Sequence, residues 1–212
     1  MTKTIRASFL LRKTRRHIKT EFRNSEAESL VHRYRDARNI VKVAARIARQ
    51  YRLSKIDGFV LSASCWFYDV GYVRDFKNPQ LASAAESDNF YKVHKVHKDI
   101  LDQIRSTLMS VQSQRPDNDV QAIFCDAVSC YVGLNKFNKI SRLRRKQEEI
   151  ETGKNIPKTE WRERMIRLLS EHQFYTGYAK QRWSKRKGSN LKKLAWKESK
   201  ESVVSGAAMN WK

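Results

Sequence analysis

Apolar side chains recur every three or four residues along most of this chain, which is the spacing of amphipathic helices. The pattern is plainest from Leu30 to Tyr51, where Val43 and Ile47 are typical members. The alternation that is typical of half-buried strands is missing between the turn signals. Glycine and proline number only 7 and 3 in 212 residues, so they separate long elements instead of filling loops. The sequence therefore predicts an all-α fold, a helical bundle in a single domain.

One stretch, Leu61–Tyr72, is much more apolar than the rest and ends with an acid, a glycine and an aromatic residue. It is too apolar for a surface helix, so we expect Leu61–Phe67 to form a buried core helix. Asp69 would then be buried, where an unpaired carboxylate is unfavourable and is usually held by a metal or a hydrogen-bond donor. Four apolar residues of other helices are expected to face this core helix: Val43, Ile47, Phe124 and Leu168.

Composition divides the chain into three parts. Residues 1–24 are predicted to form a basic N-terminal segment or a first helix, although a mitochondrial presequence has similar chemistry. Residues 25–195 are predicted to form the helical domain. Residues 196–212 are rich in serine, glycine, alanine and lysine, and they are predicted to be a flexible C-terminal tail.

The chain carries 44 Lys and Arg residues against 22 Asp and Glu residues, a formal net charge of +22 at pH 7. Such a charge favours association with polyanions, namely nucleic acid, nucleotides or anionic lipid, although a basic surface that only keeps the protein soluble is the simpler alternative. Three cysteines without a CxxC motif, and no secretory signal, favour a cytoplasmic location. No apolar run approaches the ~18 residues that a membrane span needs, so no transmembrane segment is predicted.

The segment Trp66–Tyr72 resembles a known signature. It reads Trp-Phe-Tyr-Asp-Val-Gly-Tyr and matches nearly every position of the Ala-Ala-Trp-Phe-His-Asp-Ile-Gly-Tyr helix of the HD-domain phosphohydrolases. The one departure is Tyr68, which stands where that family has a metal-binding histidine. Other short motifs resemble a subgroup, the small HD proteins similar to the soluble domain of cyclic-nucleotide defence effectors. These motifs are Glu160-Trp161, the run Leu168–Thr176 and the run Lys187–Leu194, and the resemblance covers about Ser25 to Leu194.

In that family an upstream histidine, the His-Asp pair and a downstream aspartate hold a divalent metal. The resemblance aligns Asn39 with the upstream histidine and Val128 with the metal-binding downstream aspartate, while the neighbouring Asp126 is retained. Only Asp69 clearly keeps its position, because a phenol is protonated at neutral pH, an amide is uncharged and valine has no donor atom. The resemblance therefore implies an HD-like all-α fold with a degenerate metal site. No catalytic residue is expected beyond the remnant Asp69, and no cofactor is expected.

Two hypotheses about function follow. The first is an HD-like protein that binds a phosphate-bearing ligand, either a nucleotide or nucleic acid, without cleaving it. The alternative is a metal-dependent phosphohydrolase that acts on a nucleotide with Mn, Fe, Zn or Mg. In an HD fold the ligand motifs meet in one pocket, so the resemblance implies that phosphate binds there. The predicted pocket residues are Arg35, Arg38, Asn39, Tyr68, Asp69 and Asp126.

A second group of cations lies near the C-terminus, beside Trp183. Its side chains are predicted to bind polyanions, although for any single one a solvated helix face is the simpler interpretation. The sequence carries no signal for an oligomeric state. The predicted polyanion-binding residues are Lys185, Arg186, Lys187, Lys192 and Lys193.

The five histidines give weaker signals. A predicted helix from Phe90 to Leu108 would place His94 and His97 on one face, at a spacing that allows both to bind one metal ion, but the flanking lysines would repel a cation. His94 and His97 are therefore interpreted as surface or hydrogen-bonding residues. His17 and His32 have no acidic or thiol partner at a telling spacing.

His172 lies between Glu171 and Phe174 and is expected to cap or bridge helices. The chain contains no GxxxxGK[ST], GxGxxG or GxSxG motif. The P-loop, dinucleotide-binding and nucleophile-elbow classes therefore have no support.

Overall fold

The computed structural model describes residues 6–25 and 29–209, with side chains up to residue 197. All regular structure over these residues is helical, so the all-α prediction is confirmed. A short 3-10 turn, Cys130–Gly133, precedes α7. The helices are α1 (Ala7–Asn24), α2 (Tyr34–Ala48), α3 (Lys55–Arg74), α4 (Pro79–Val93), α5 (Lys98–Ser113), α6 (Asp119–Ser129), α7 (Phe137–Thr152), α8 (Lys158–Glu171) and α9 (Gly177–Met209).

The helices form two compact units. The first unit contains α1 to α6 together with the segment Tyr175–Tyr178. The second unit contains the 3-10 turn, α7, α8 and α9 from Ala179 onward. The chain therefore leaves the first unit after Ser129 and returns to it at Tyr175.

In the first unit, α3 is the central helix, against which α1, α2, α4, α5 and α6 all pack. It begins with a capping box: Ser54 Oγ accepts a hydrogen bond from the Asp57 amide at 3.0 Å, and the Asp57 carboxylate accepts one from the Ser54 amide at 3.2 Å. Every residue from Ala63 to Gly71 is buried, because apolar side chains cover all faces of the helix. The predicted burial of Leu61–Phe67 is confirmed, apart from a half-buried serine within it.

The four residues expected to face this helix differ in burial and in location. Ile47 and Phe124 are fully buried, and the Phe124 ring lies edge-on to Tyr68 of α3 with ring centroids 5.7 Å apart. Val43 is half-buried. Leu168 belongs to the second unit, where its neighbour is the fully buried residue of α8. The prediction misses the core position there because two consecutive leucines fit a helical repeat equally well.

A close approach between α3 and α4 requires glycine at position 71. A Cβ atom added to Gly71 would lie 1.8 Å from the carbonyl oxygen of Pro79 and 2.3 Å from Ser83 Oγ. Ser83 Oγ uses this proximity, because it accepts a hydrogen bond from the Gly71 amide at 3.1 Å and donates one to the Tyr68 carbonyl at 2.9 Å. The glycine of the signature therefore serves helix packing.

The second unit is held by polar contacts as well as by apolar packing. Asn190 of α9 is buried, and its Nδ2 donates to the carbonyls of Val132 and Leu134 at 2.9 and 3.1 Å. Trp161 of α8 donates its indole N–H to Ser141 of α7 at 2.8 Å. These residues fall in the C-terminal motifs of the resemblance, and their contacts here are structural.

The helix boundaries bear on the predicted division of the chain. Helix α1 occupies most of the segment 1–24, with residues 1–5 outside the described part, and it buries Leu10, Thr14 and Ile18 on one face. Helix α9 continues to Met209, beyond the position at which the flexible tail is predicted to begin. Over the residues that the structure describes, no helix has the length and apolar character needed to cross a membrane.

Candidate functional site

Asp69 is held inside the first unit by a histidine from another part of the chain. Its side chain is buried on α3, and its Oδ1 lies 2.7 Å from Nδ1 of His32, which is also buried. His32 precedes α2 in a left-handed backbone conformation with φ of 58°, a conformation in which histidine is enriched. Its ring stacks on Tyr72, with centroids 3.7 Å apart and planes 5° apart. The second oxygen of Asp69, Oδ2, is buried without a hydrogen-bond partner among the described residues.

Both His17 and His32 have acidic partners, and for His17 the expectation that no acidic residue lies at a telling spacing is wrong. His32 pairs with Asp69, which is 37 positions away in the sequence, so no local spacing could reveal the contact. His17 lies between two glutamates, with Nδ1 3.9 Å from Glu21 one helical turn away and Nε2 3.2 Å from Glu86 of α4. The spacing of four residues between His17 and Glu21 was a usable signal.

Tyr68, where the family has histidine, is a packing residue in this structure. It is buried, and its hydroxyl lies 3.2 Å from the hydroxyl of Tyr72, one helical turn further along α3. Its ring contacts Phe124 edge-on. The side chain at this position therefore fills the core and offers no imidazole nitrogen to a metal.

Asp126 is fully buried and both of its oxygens accept hydrogen bonds. Oδ1 accepts from the Tyr175 amide at 3.0 Å, and Oδ2 accepts from the amide and the hydroxyl of Thr176 at 2.8 and 2.6 Å. The carboxylate thus satisfies backbone donors that lie just before α9. Its contacts explain why an acid is buried here without invoking a metal ligand.

The residues around Asp69 do not offer the donor set of a zinc or non-haem iron site. Such sites have at least three converging protein donors. Among the described residues, Asp69 belongs to no group of three histidine, cysteine or acidic side chains. One of its oxygens is engaged by His32, and both oxygens of Asp126 are engaged by the segment before α9.

The predicted ligand pocket separates into an exposed and a buried part. Arg35, Arg38 and Asn39 are exposed on α2, whereas the three remaining residues are buried. Arg38 lies over the Tyr34 ring, with its guanidinium carbon 5.9 Å from the ring centroid. The predicted set therefore does not form one accessible pocket; its buried members are Tyr68, Asp69 and Asp126.

One group of three potential metal ligands exists in the described part of the chain. It comprises His17, Glu21 and Glu86, whose ligand atoms all lie within 4.8 Å of one another. All three are half-buried. The guanidinium of Arg74 hydrogen-bonds to Glu21 and lies 4.0 Å from Glu86, so a cationic side chain already neutralises part of the carboxylate charge.

His94 and His97 do not share a helix face, because the predicted helix Phe90–Leu108 is interrupted. Helix α4 ends at Val93 and α5 begins at Lys98. His94 follows α4 and its Nδ1 bonds to the Phe90 carbonyl at 2.8 Å. His97 precedes α5 and accepts from the Asp99 amide at 3.4 Å, so each histidine caps a different helix.

His172 ends α8 in the second unit, as its expected capping role suggests. Burial, and then the nearby charge of Lys187, lower the pKa of its imidazole from the ordinary value of 6.5 to about 4. The ammonium of Lys187 donates to the His172 carbonyl at 2.5 Å, and burial lowers the pKa of that lysine. Lys187 is half-buried and hydrogen-bonds inside the second unit, whereas the other predicted polyanion-binding residues are exposed.

The remaining cations of α9 lie on an exposed face, which we call the basic face of α9. It consists of five exposed residues, Arg182, Lys185, Arg186, Lys192 and Lys193. Spacings of three, four and seven residues between its members place them on one side of the helix. None of the five forms an ion pair within the described part of the chain. Trp183, by contrast, is buried and packs against Phe174 with ring centroids 5.6 Å apart.

The basic run of α7 has a structural role in two of its residues. The guanidinium of Arg144 lies 4.2 Å from the centroid of the Tyr131 ring. Arg145 donates to the Ile156 carbonyl at 2.8 Å and lies 3.6 Å from Glu149. This run therefore offers a weaker candidate for polyanion binding than the basic face of α9.

Comparison of the chain with family models, with curated proteins and with solved structures gave no match in any of the three.

Proposed function

We propose that this protein binds nucleic acid or another polyanion through the basic face of α9 and does not hydrolyse it. The observation that carries the proposal is the absence of ion pairs from five exposed cations on one helix face, within the part of the chain that the structure describes. With 44 Lys and Arg residues and 22 Asp and Glu residues, many cations of this chain have no acidic partner, and these five are distinguished by sharing one exposed helix face. Arg164, by contrast, pairs with Glu148 and Glu160.

The dimensions of the face suit a phosphate backbone. At a rise of about 1.5 Å per residue, Arg182 and Lys193 lie roughly 16 Å apart along the helix axis. This length covers several phosphates of a duplex, which carries one charge per about 1.7 Å of axis. If all five side chains contact phosphates, the slope of log K against log salt should reach about −4.5 on duplex DNA. Sequence preference should be slight, because phosphate contacts do not read bases.

The proposal that no hydrolysis occurs rests on the first unit. Its support is the pairing of Asp69 with His32, the packing role of Tyr68 and the engagement of both Asp126 oxygens. The HD-like relationship is itself part of the proposal, and it is supported by the signature helix and by the order of the shorter motifs. In this view a hydrolase scaffold keeps its affinity for phosphate and replaces its metal site with internal packing.

The test is fluorescence anisotropy of a labelled duplex and a labelled single strand at several salt concentrations. The variant replaces Lys185, Arg186, Lys192 and Lys193 with glutamine, and it should flatten the salt slope by about 3.6 on duplex DNA. A matched control replaces four exposed cations elsewhere, Arg12, Arg16, Lys42 and Arg46, and it should leave most of the slope in place. Equal flattening in both variants would show that net charge alone governs binding and would refute the assignment to α9.

A second function is favoured by one observation, the group formed by His17, Glu21 and Glu86. Nitrogen and carboxylate donors of this kind suit Mn, Fe, Zn or Mg, and a metal there would support a phosphohydrolase acting on a nucleotide. Elemental analysis of the purified protein, beside a phosphate-release assay over a nucleotide panel, separates the two functions. Stoichiometric metal that is lost in Glu86→Gln and retained in Asp69→Asn, together with phosphate release, would favour the hydrolase.

A further inference from the structure

The first unit contains a cation-lined cavity at a place that the sequence does not single out. It has a volume of about 270 Å³ and lies between the end of α1 and the start of α2. Four of its lining side chains are cationic, and no carboxylate lines it among the residues that the structure describes. The four cations are Lys19 and Arg23 of α1, with Arg33 and Arg35 at the start of α2.

Most of this positive charge is available to a ligand. Lys19, Arg23 and Arg35 are exposed, and no ion pair or hydrogen bond involves their side chains within the described ranges. Arg33 differs, because its Nε lies 3.1 Å from Asp36 and is partly neutralised. These three cations have no ion-pair partner among the described residues and line one concave surface, where a bound anion would reduce the repulsion between like charges.

The rest of the lining is apolar and aromatic. Phe22 and Tyr34 are half-buried and line the cavity between the cations. Two contacts fix the position of Tyr34. Its ring stacks near Trp66 at a centroid distance of 5.9 Å, and its hydroxyl accepts a hydrogen bond from Arg15 at 3.2 Å. A fixed aromatic ring beside cations can contact the base or sugar of a ligand while guanidinium groups bind its phosphate.

The N-terminus of α2 adds to the positive electrostatic potential of the cavity. Tyr34 and Arg35 are the first two residues of this helix, where amide N–H groups have no partner inside the helix and the helix dipole is positive. The volume of about 270 Å³ lies just below the range of small-molecule sites, about 300–1,000 Å³, so the cavity suits only a small ligand. A single nucleotide is of a suitable size, whereas a nucleic-acid strand would not be enclosed.

We propose that this cavity is a binding site for a small organic phosphate of the nucleoside mono- or diphosphate class. The site is built by Lys19, Arg23, Arg33 and Arg35 for the phosphate and by Phe22 and Tyr34 for the organic part. It is independent of the polyanion binding proposed for α9, because every residue of the cavity belongs to the first unit and the basic face of α9 belongs to the second. It also relocates the predicted phosphate site from the Asp69 motif to α1 and the start of α2.

The test is isothermal titration of the full chain with adenosine diphosphate at ~0.15 M salt, beside adenosine and inorganic pyrophosphate. Replacement of Arg23 and Arg35 with glutamine should raise the Kd for adenosine diphosphate at least tenfold. The matched control, Arg12→Gln with Arg16→Gln, removes the same charge from the exposed surface of α1 outside the cavity and should change the Kd less than twofold. The α9 variant described above should bind adenosine diphosphate like the parent chain.

Each result has a definite meaning. A tenfold loss of affinity for adenosine diphosphate that is confined to the Arg23 and Arg35 variant supports the cavity as the binding site. If the parent chain binds adenosine and pyrophosphate more weakly than adenosine diphosphate, the phosphate and the organic part are recognised together. The proposal is overturned if the parent chain does not bind adenosine diphosphate, or if the two charge-matched variants lose affinity equally. Failure of the α9 variant to bind duplex DNA, with unchanged nucleotide binding, would leave the cavity intact, so the two proposals fail independently. Because all four exchanged arginines are exposed, circular dichroism should show unchanged helicity.

Discussion

The pair of His32 and Asp69 allows the role of the signature aspartate to be measured. Both side chains are more than nine-tenths buried, and one carboxylate oxygen has His32 as its hydrogen-bond partner while the other has none among the described residues. Removing His32 by His32→Ala strands a buried carboxylate, which should lower the free energy of unfolding by about 3–5 kcal/mol. For a chain of this size the melting temperature should fall by roughly 10 °C.

The second substitution distinguishes a stranded charge from a lost contact. Asp69→Asn removes the charge while keeping the shape, so alone it should be destabilising by about 1–3 kcal/mol, the penalty for an unsatisfied buried partner. In the His32→Ala background, Asp69→Asn removes a buried charge that has lost its histidine partner. It should therefore lower the free energy of unfolding by less than it does alone, or even raise it. The cycle should therefore give a coupling free energy of about 1–3 kcal/mol.

The assay is urea unfolding followed by circular dichroism at 222 nm, with the four proteins of the cycle measured at one pH. The chain supplies a matched control in His97 and Asp99, whose Nδ1 and Oδ2 atoms lie 3.1 Å apart with side chains 45% and 75% exposed. That exposed pair should give a coupling below about 1 kcal/mol. Additive effects of His32→Ala and Asp69→Asn would refute the interpretation that Asp69 depends on His32.

Three further predictions rest on single residues. Gly71→Ala should be destabilising by about 1–3 kcal/mol in urea unfolding, because its Cβ would overlap the carbonyl of Pro79, whereas Gly58→Ala, in open space within the same helix, should be stabilising by about 0.5–1 kcal/mol. Stability measured as melting temperature should fall as the pH drops from about 6.5 towards 4. The folded-state pKa of His172 lies below its unfolded value, so protonation favours unfolding, and His172→Gln should flatten that part of the profile. Asp126→Asn should speed hydrogen exchange of the two amides that it binds and should lower stability by at least about 2 kcal/mol, and unchanged exchange would contradict the capping role.

The fold class could be predicted from the sequence because it depends on local periodicity. The central helix was identifiable for the same reason, since a run that is apolar on every face has to be buried. The break between α4 and α5 was missed, although His94 and His97 lie at it. The segment between them contains no proline or glycine, and Lys95 adopts a left-handed conformation with φ of 54°. Propensity gives little warning of such a break.

The candidate sites were less predictable because they depend on contacts between distant residues. The partner of Asp69 lies in a segment with no distinctive pattern, and the partners of Asp126 follow it by about 50 residues. The cavity between α1 and α2 combines Arg35, which was a predicted phosphate ligand, with Lys19 and Arg23, which belong to an ordinary basic helix by sequence alone. Such a convergence becomes visible only when the helices are placed.

The hydrogen bonds of the Asp126 carboxylate also bear on the order in which the protein folds during its synthesis. A ribosome that has finished α6 must still add more than forty residues before Tyr175 and Thr176 emerge, since these partners lie 49 and 50 positions downstream. At 5–20 residues per second this takes several seconds, far longer than a helix needs to form. During that interval Asp126 lacks the three hydrogen bonds that Tyr175 and Thr176 donate to it, which makes its burial less favourable, so we expect the nascent first unit to stay loose around α6. We expect its core to close once the returning chain reaches it, after α7 and α8 have been synthesised.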